Sequence, residues 1–133
     1  MSTSVARRFL LRLAILLTVT AVPAAAQAAG DQVFGPSELD ELPRFASQER
    51  TARLLAESYP SNMRRMGITG MVQLQFVVDA QGRVESSSIK VMSASAPQLA
   101  QAAQRVAADI EFTPALVQGK PVRTLVLLPI VYK

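Results

Sequence analysis

A proline stands inside the most strand-prone stretch of this chain, Leu125-Val126-Leu127-Leu128-Pro129-Ile130-Val131. Proline cannot donate to a β-ladder, so within sheets it belongs on edge strands, at strand ends or at bulges. A strand over residues 122–132 is therefore expected at the edge of its sheet, with only Lys120 and Arg123 as charged guards. An apolar edge of this kind templates pairing with another chain. It can pair with a second copy, or capture an extended peptide by β-augmentation, in which main-chain bonds supply affinity and side-chain pockets supply choice. A buried central strand with Pro129 at its frayed end is the alternative that one sequence leaves open.

The rest of the sheet is easier to read. Residues 71–79 alternate, with Val72, Leu74, Phe76 and Val78 on one face and Gln73 and Gln75 on the other, the pattern of a half-buried strand. Asp79-Ala80-Gln81-Gly82 places Asp first and Gly last in a type I turn. A returning strand is expected over residues 83–92, but its apolar positions change parity from Val84 to Ile89 and Val91, which predicts a bulge near Ser86–Ser88. Ser47 can cap a helix that must end before Pro60, and a second short helix over residues 62–66 can close on Gly67. Pro97 opens a third, in which Leu99, Ala102, Ala103, Val106 and Ile110 form one apolar stripe. Residues 118–121 read as a turn into the last strand. The expected fold is α+β: a small three-stranded antiparallel sheet with helices packed on one face. Leu74, Phe76, Leu99, Val106 and Phe112 are the expected core.

Residues 1–28 are a different kind of sequence. Arg7 and Arg8 precede an apolar run over residues 13–22, and two small-residue cleavage sites follow, after Ala26 and after Ala28. This is the make-up of a secretory signal peptide, and the run is short for a bilayer span. Export to the periplasm is expected, with a retained inner-membrane anchor as the alternative. Removing residues 1–28 takes three of the 14 basic residues and none of the 10 acidic ones, leaving a net charge of +1 in place of +4. That balance gives no electrostatic footprint for nucleic acid. Residues 29–46 read as an irregular lead-in and residues 47–133 as the folded domain.

The residue inventory closes off much chemistry. Without Cys or His there is no thiol nucleophile, no thiolate or imidazole metal ligand and no ordinary general base. Asp79 and Glu85 flank the hairpin, and Asp109 and Glu111 lie at a helix end, but neither pair has a partner base; turn Asp residues usually cap backbone N–H groups. No enzymatic activity, metal or cofactor is expected.

Several pieces fall in order along the chain: Tyr59-Pro60, Gly67-Ile68-Thr69-Gly70-Met71-Val72, Phe76-Val77-Val78-Asp79, Gly82-Arg83-Val84, Leu99, Ala102-Ala103, Phe112-Thr113-Pro114-Ala115, Gly119-Lys120-Pro121-Val122 and Leu128-Pro129-Ile130. Together, over about residues 54–133, they resemble the C-terminal domain of TonB-type energy transducers. The resemblance implies a periplasmic domain that grips the TonB box, an extended segment of a TonB-dependent outer-membrane receptor, during energised nutrient uptake. It implies pairing along Val122, Arg123, Thr124, Leu125, Val126, Leu127 and Leu128. Tyr59 and Pro60 are expected to fix the chain's entry into the domain by packing, with peptide contact as the alternative. The alternative is an envelope scaffold or homodimer that pairs through the same strand without energy transduction. The sequence departs from the family at three places: it has no His, Ile110-Glu111 replaces the common tryptophan before Phe112, and Ala100 replaces an acid. Its 18-residue lead-in spans at most about 60 Å. Coupling to a proton-driven motor complex is therefore not expected.

Overall fold

The structure, a computed structural model, describes residues 31–133. The export signal expected over residues 1–28 lies outside the described residues.

Local chemistry sets the helices. Ser47 caps α1 (Gln48–Ser58): its Oγ accepts the Arg50 N–H at 3.2 Å, while its carbonyl accepts the Thr51 hydroxyl at 2.7 Å. Pro60 disfavours helical backbone at Tyr59, so the chain leaves α1 there and turns into α2 (Ser61–Arg65). Gly67, at φ +67°, follows α2 in the left-handed region that favours glycine. Pro97 opens α3 (Pro97–Ala107), whose Leu99, Ala102, Ala103 and Val106 are buried. Helix α3 lies on the sheet and α1 packs on α3, so the helices share one face.

Strand β3 (Gly70–Val78) alternates as its sequence predicts. Val72, Leu74, Phe76 and Val78 are fully buried, with Gln73 and Gln75 on the opposite face. Asp79 then caps the turn: its Oδ1 accepts the N–H groups of Gln81 and Arg83, each at 2.9 Å, and its carbonyl accepts the Gly82 N–H at 3.0 Å. Gly82 sits at φ +83°, and a Cβ on it would collide with the carbonyl oxygen of Phe112. Because that obstacle is backbone, Gly82→Ala is expected to lose about 2–3 kcal/mol from strain and displacement together. A thermal melt checks this, and an unchanged midpoint would contradict the close approach.

The returning segment differs from the single strand expected over residues 83–92. After a bridge from Val84 to Val78, the chain makes a 3-10 turn at Ser86–Ser88. Ser88 Oγ accepts the Val77 N–H at 2.8 Å, so a side chain replaces the ladder there. Strand β4 (Lys90–Ala94) resumes pairing with β3, and a slip between Gln73 and Leu74 leaves Met92 as the extra residue of a bulge. The parity change was real, but a turn and a later bulge absorb it.

The sheet has five strands where three were expected. Its order is β1 (Val33–Phe34), β7 (Lys120–Tyr132), β3, β4, with β6 (Ala115–Val117) also paired to β7. A separate pair joins β2 (Arg44–Phe45) to β5 (Phe112–Thr113). One pair, β1 with β7, is parallel, so the sheet is mixed. Gln118 and Gly119, both at positive φ, form the two-residue loop between β6 and β7. The segment expected as an irregular lead-in is thus stitched into the domain from residue 33 onward. The Asp40 and Glu41 N–H groups both donate to the Leu116 carbonyl, and the Asp40 carboxylate accepts the Gln118 N–H at 2.5 Å. Strands of two or three residues carry no readable period, and their partners lie far away in sequence, so these additions had no local signal. The α+β class holds.

All five expected core residues are buried. The Phe112 ring lies 5.8 Å from that of Phe76 and 5.3 Å from that of Phe45, joining the sheet to the small β2–β5 pair.

Candidate functional site: the open edge of β7

Strand β7 runs beside β3 in an unbroken antiparallel register of nine pairs, from Gly70 opposite Tyr132 to Val78 opposite Thr124. In such a ladder, residues alternate between pointing both backbone groups at the partner and pointing both away. Pro129 stands opposite Gln73 and has no N–H to give, so it takes an outward position. Even-numbered residues of β7 therefore face β3, and Leu125, Leu127, Pro129 and Val131 face away from it. The β6 hairpin agrees: a two-residue loop makes Val117 and Lys120 the bonded closing pair, which puts β6 on the even-numbered side. Pro121 and Pro129 thus both spend their missing donors on the same free side.

That side carries one short neighbour. Strand β1 lies parallel there, with Val33 opposite Arg123 and Phe34 opposite Thr124. In this register Phe34 faces the backbone of Arg123 and Leu125. The next donor would come from residue 36, a proline, and the strand ends. Beyond it, among the described residues, no strand covers residues 126–132 on this side.

The seven residues proposed for peptide pairing therefore divide. Val122 pairs with Ala115 of β6; Arg123, Thr124 and Leu125 lie beside β1; Val126, Leu127 and Leu128 lie where the free edge begins. The edge also continues through Pro129, Ile130 and Val131, which the sequence reading left out of the site. Pro129 was the signal for them, since an outward proline makes its neighbours two positions away outward as well.

Two side chains are already committed. Arg123 Nε and Nη2 reach the two oxygens of Glu85 at 3.0 and 2.9 Å, and Nη1 donates to the Asp31 carbonyl at 2.6 Å. The hydrogen bond to Glu85 raises the guanidinium pKa above its ordinary value, with burial acting against it. Thr124, fully buried, donates its hydroxyl to the Phe34 carbonyl at 2.9 Å.

A groove of about 360 Å³ flanks the far end of the edge, between α1 (Ala52, Leu55, Ala56) and the end of β7 (Val131, Tyr132), with Tyr59 and Arg64 at its side. Tyr59 stacks edge-on to Tyr132 at 5.2 Å and donates its hydroxyl to the Ile68 carbonyl. Tyr59 is thus both a packing residue and a wall of this groove. Pro60 turns away and lines a second groove of about 530 Å³ between α1 and α3. On the helix-free face Leu127 and Val131 are more than half exposed, at 57% and 58%. An extended segment laid on this edge would meet backbone groups in line, the α1 groove on one side and an apolar strip on the other. Among the described residues, no cluster of acidic side chains could hold a metal ion, and no helix is long and apolar enough to cross a membrane.

A family model described as the Gram-negative bacterial TonB protein C-terminal matches residues 56–133. The chain belongs to this family. The match runs from the end of α1 to the end of the chain and so contains the whole β7 edge. The TonB C-terminal family is a transport-associated, non-enzymatic one whose domains lie in the periplasm of Gram-negative bacteria and interact with outer-membrane receptors. This chain is accordingly a TonB-like protein of energy-coupled transport. A comparison with curated proteins finds no match.

Proposed function

We propose that this domain holds an extended segment of a TonB-dependent outer-membrane receptor, the TonB box, by β-augmentation on the free edge of β7. The protein is exported to the periplasm by residues 1–28 and contributes there to energised nutrient transport. One observation carries the reading: from Leu127 to Val131 the outward backbone groups of β7 form a row with a free neighbouring lane, bordered by the α1 groove and by exposed Leu127 and Val131. Main-chain bonds along such a row supply affinity without demanding sequence, and the flanking surfaces supply selection.

Titration of the protein with a synthetic TonB-box peptide, followed by backbone amide shifts, tests this. The amides of Leu127 and Val131 are expected to move. If none responds at millimolar peptide, equivalent to about −4 kcal/mol, the mechanism fails. The same edge suits a second copy of the chain, so sedimentation over a range of concentration belongs with the titration. A dimer that peptide does not dissociate would favour the scaffold reading.

A further inference from the structure

The free side of β7 already carries one augmenting strand, and the chain supplies it. We propose that β1 is a displaceable internal occupant of the receptor edge, so that residues 31–35 regulate peptide binding by competing for its Arg123 end. This rests on the receptor-binding reading above.

Three features make β1 a replaceable strand rather than a fixed one. It is short, with only Val33 and Phe34 in register, and Pro36 prevents its extension. Its side chains are lightly held: Val33 is exposed and Phe34 only half-buried. Most telling is what β7 grips. Thr124 Oγ1 donates to the carbonyl of Phe34 and Arg123 Nη1 to the carbonyl of Asp31. Both acceptors are backbone oxygens, which any extended peptide in the same parallel register can provide.

The two donors are also fixed before any exchange. Arg123 stays anchored on Glu85 through Nε and Nη2, leaving Nη1 aimed at the lane beside β7. Thr124 is fully buried, and a buried hydroxyl left without a partner is unfavourable. The lane beside Arg123 and Thr124 is therefore favoured when filled, by β1 or by an incoming segment. A receptor segment confined to residues 127–131 leaves β1 in place. One that extends past Leu125 must take the position of Phe34 and inherits its two bonds. Apparent affinity for the longer segment is then the intrinsic affinity multiplied by the fraction of molecules in which β1 is undocked.

The test uses the full exported chain and its Val33→Gly/Phe34→Gly double variant, which keeps every backbone donor while removing strand preference and side-chain contacts. Both are titrated with a ten-residue TonB-box peptide. If β1 is docked in about nine molecules of ten, the variant binds about tenfold more tightly. In the unaltered chain the amides of Val33 and Phe34 shift along with those of Leu125 and Leu127, a readout that does not depend on the variant folding. Equal affinities with Val33 and Phe34 unmoved, while Leu127 responds, would overturn the competition and leave receptor binding standing. Weaker binding by the variant would also overturn it, making β1 part of the peptide platform. Absence of any response in either protein would overturn both readings.

Discussion

Phe76→Ala is expected to destabilise the domain by about 3–5 kcal/mol, the cost of emptying a large buried aromatic site. Phe76 is fully buried at the middle of β3, opposite Val126 of β7, with its ring 5.8 Å from that of Phe112. It therefore contacts the central strand pair and the segment that closes the hairpin, and few side chains can move to refill the space. Small domains have about 5–15 kcal/mol in all, so much of the folded population depends on this ring. A thermal melt should show the midpoint lowered by about 12 °C or more, at about 4–8 °C for each kcal/mol. The same measurement on Gln75→Ala, one residue away on the opposite face, should change stability by about 0.5 kcal/mol or less. Equal midpoints for the two variants would reverse the inward face of β3.

That inward face was legible because nine residues are enough to show a period of two. Ser47, Gly67 and Pro97 were legible for a different reason: a cap, a left-handed residue and a first-turn proline act within one helical turn. Strands β1, β2, β5 and β6 had neither kind of signal. Arg44 and Phe45 pair with Thr113 and Phe112, 69 and 67 positions away, and nothing near Arg44 says so. The family resemblance reached back only to about residue 54, so it was silent on the lead-in as well. Pro129 shows the limit most clearly. A missing N–H says that one side of a residue is unpaired; it does not say that the strand has a single neighbour. Strand β7 pairs fully with β3 on one side and is an edge on the other. Residues 122–124 already have neighbours in β6 and β1, so the unpaired stretch of the strand lies further toward its end.

Leu127→Pro and Leu128→Pro are adjacent, chemically identical substitutions that should have opposite consequences. Leu127 shares the outward parity of Pro121 and Pro129, so proline there removes only a donor that faces the free lane. The preceding residue is already extended, as a residue before proline prefers, and the Leu127 side chain is more than half exposed. The fold should persist with a loss of about 1 kcal/mol, while peptide affinity drops at least about tenfold. One main-chain bond is worth up to about 1.5 kcal/mol, and the ring intrudes on an incoming strand. Leu128 stands opposite Leu74 and faces β3. Proline there removes a bond from the central ladder and should cost about 3 kcal/mol or more, seen as loss of the cooperative melt before binding can be measured. Circular dichroism melts and peptide titration of the two variants separate the cases. If both unfold, the facing of β7 deduced from Pro129 is wrong. If Leu127→Pro folds and binds peptide like the unaltered chain, a bound segment does not use this edge, and the receptor must be held elsewhere, with the groove beside Tyr59 the next surface to test.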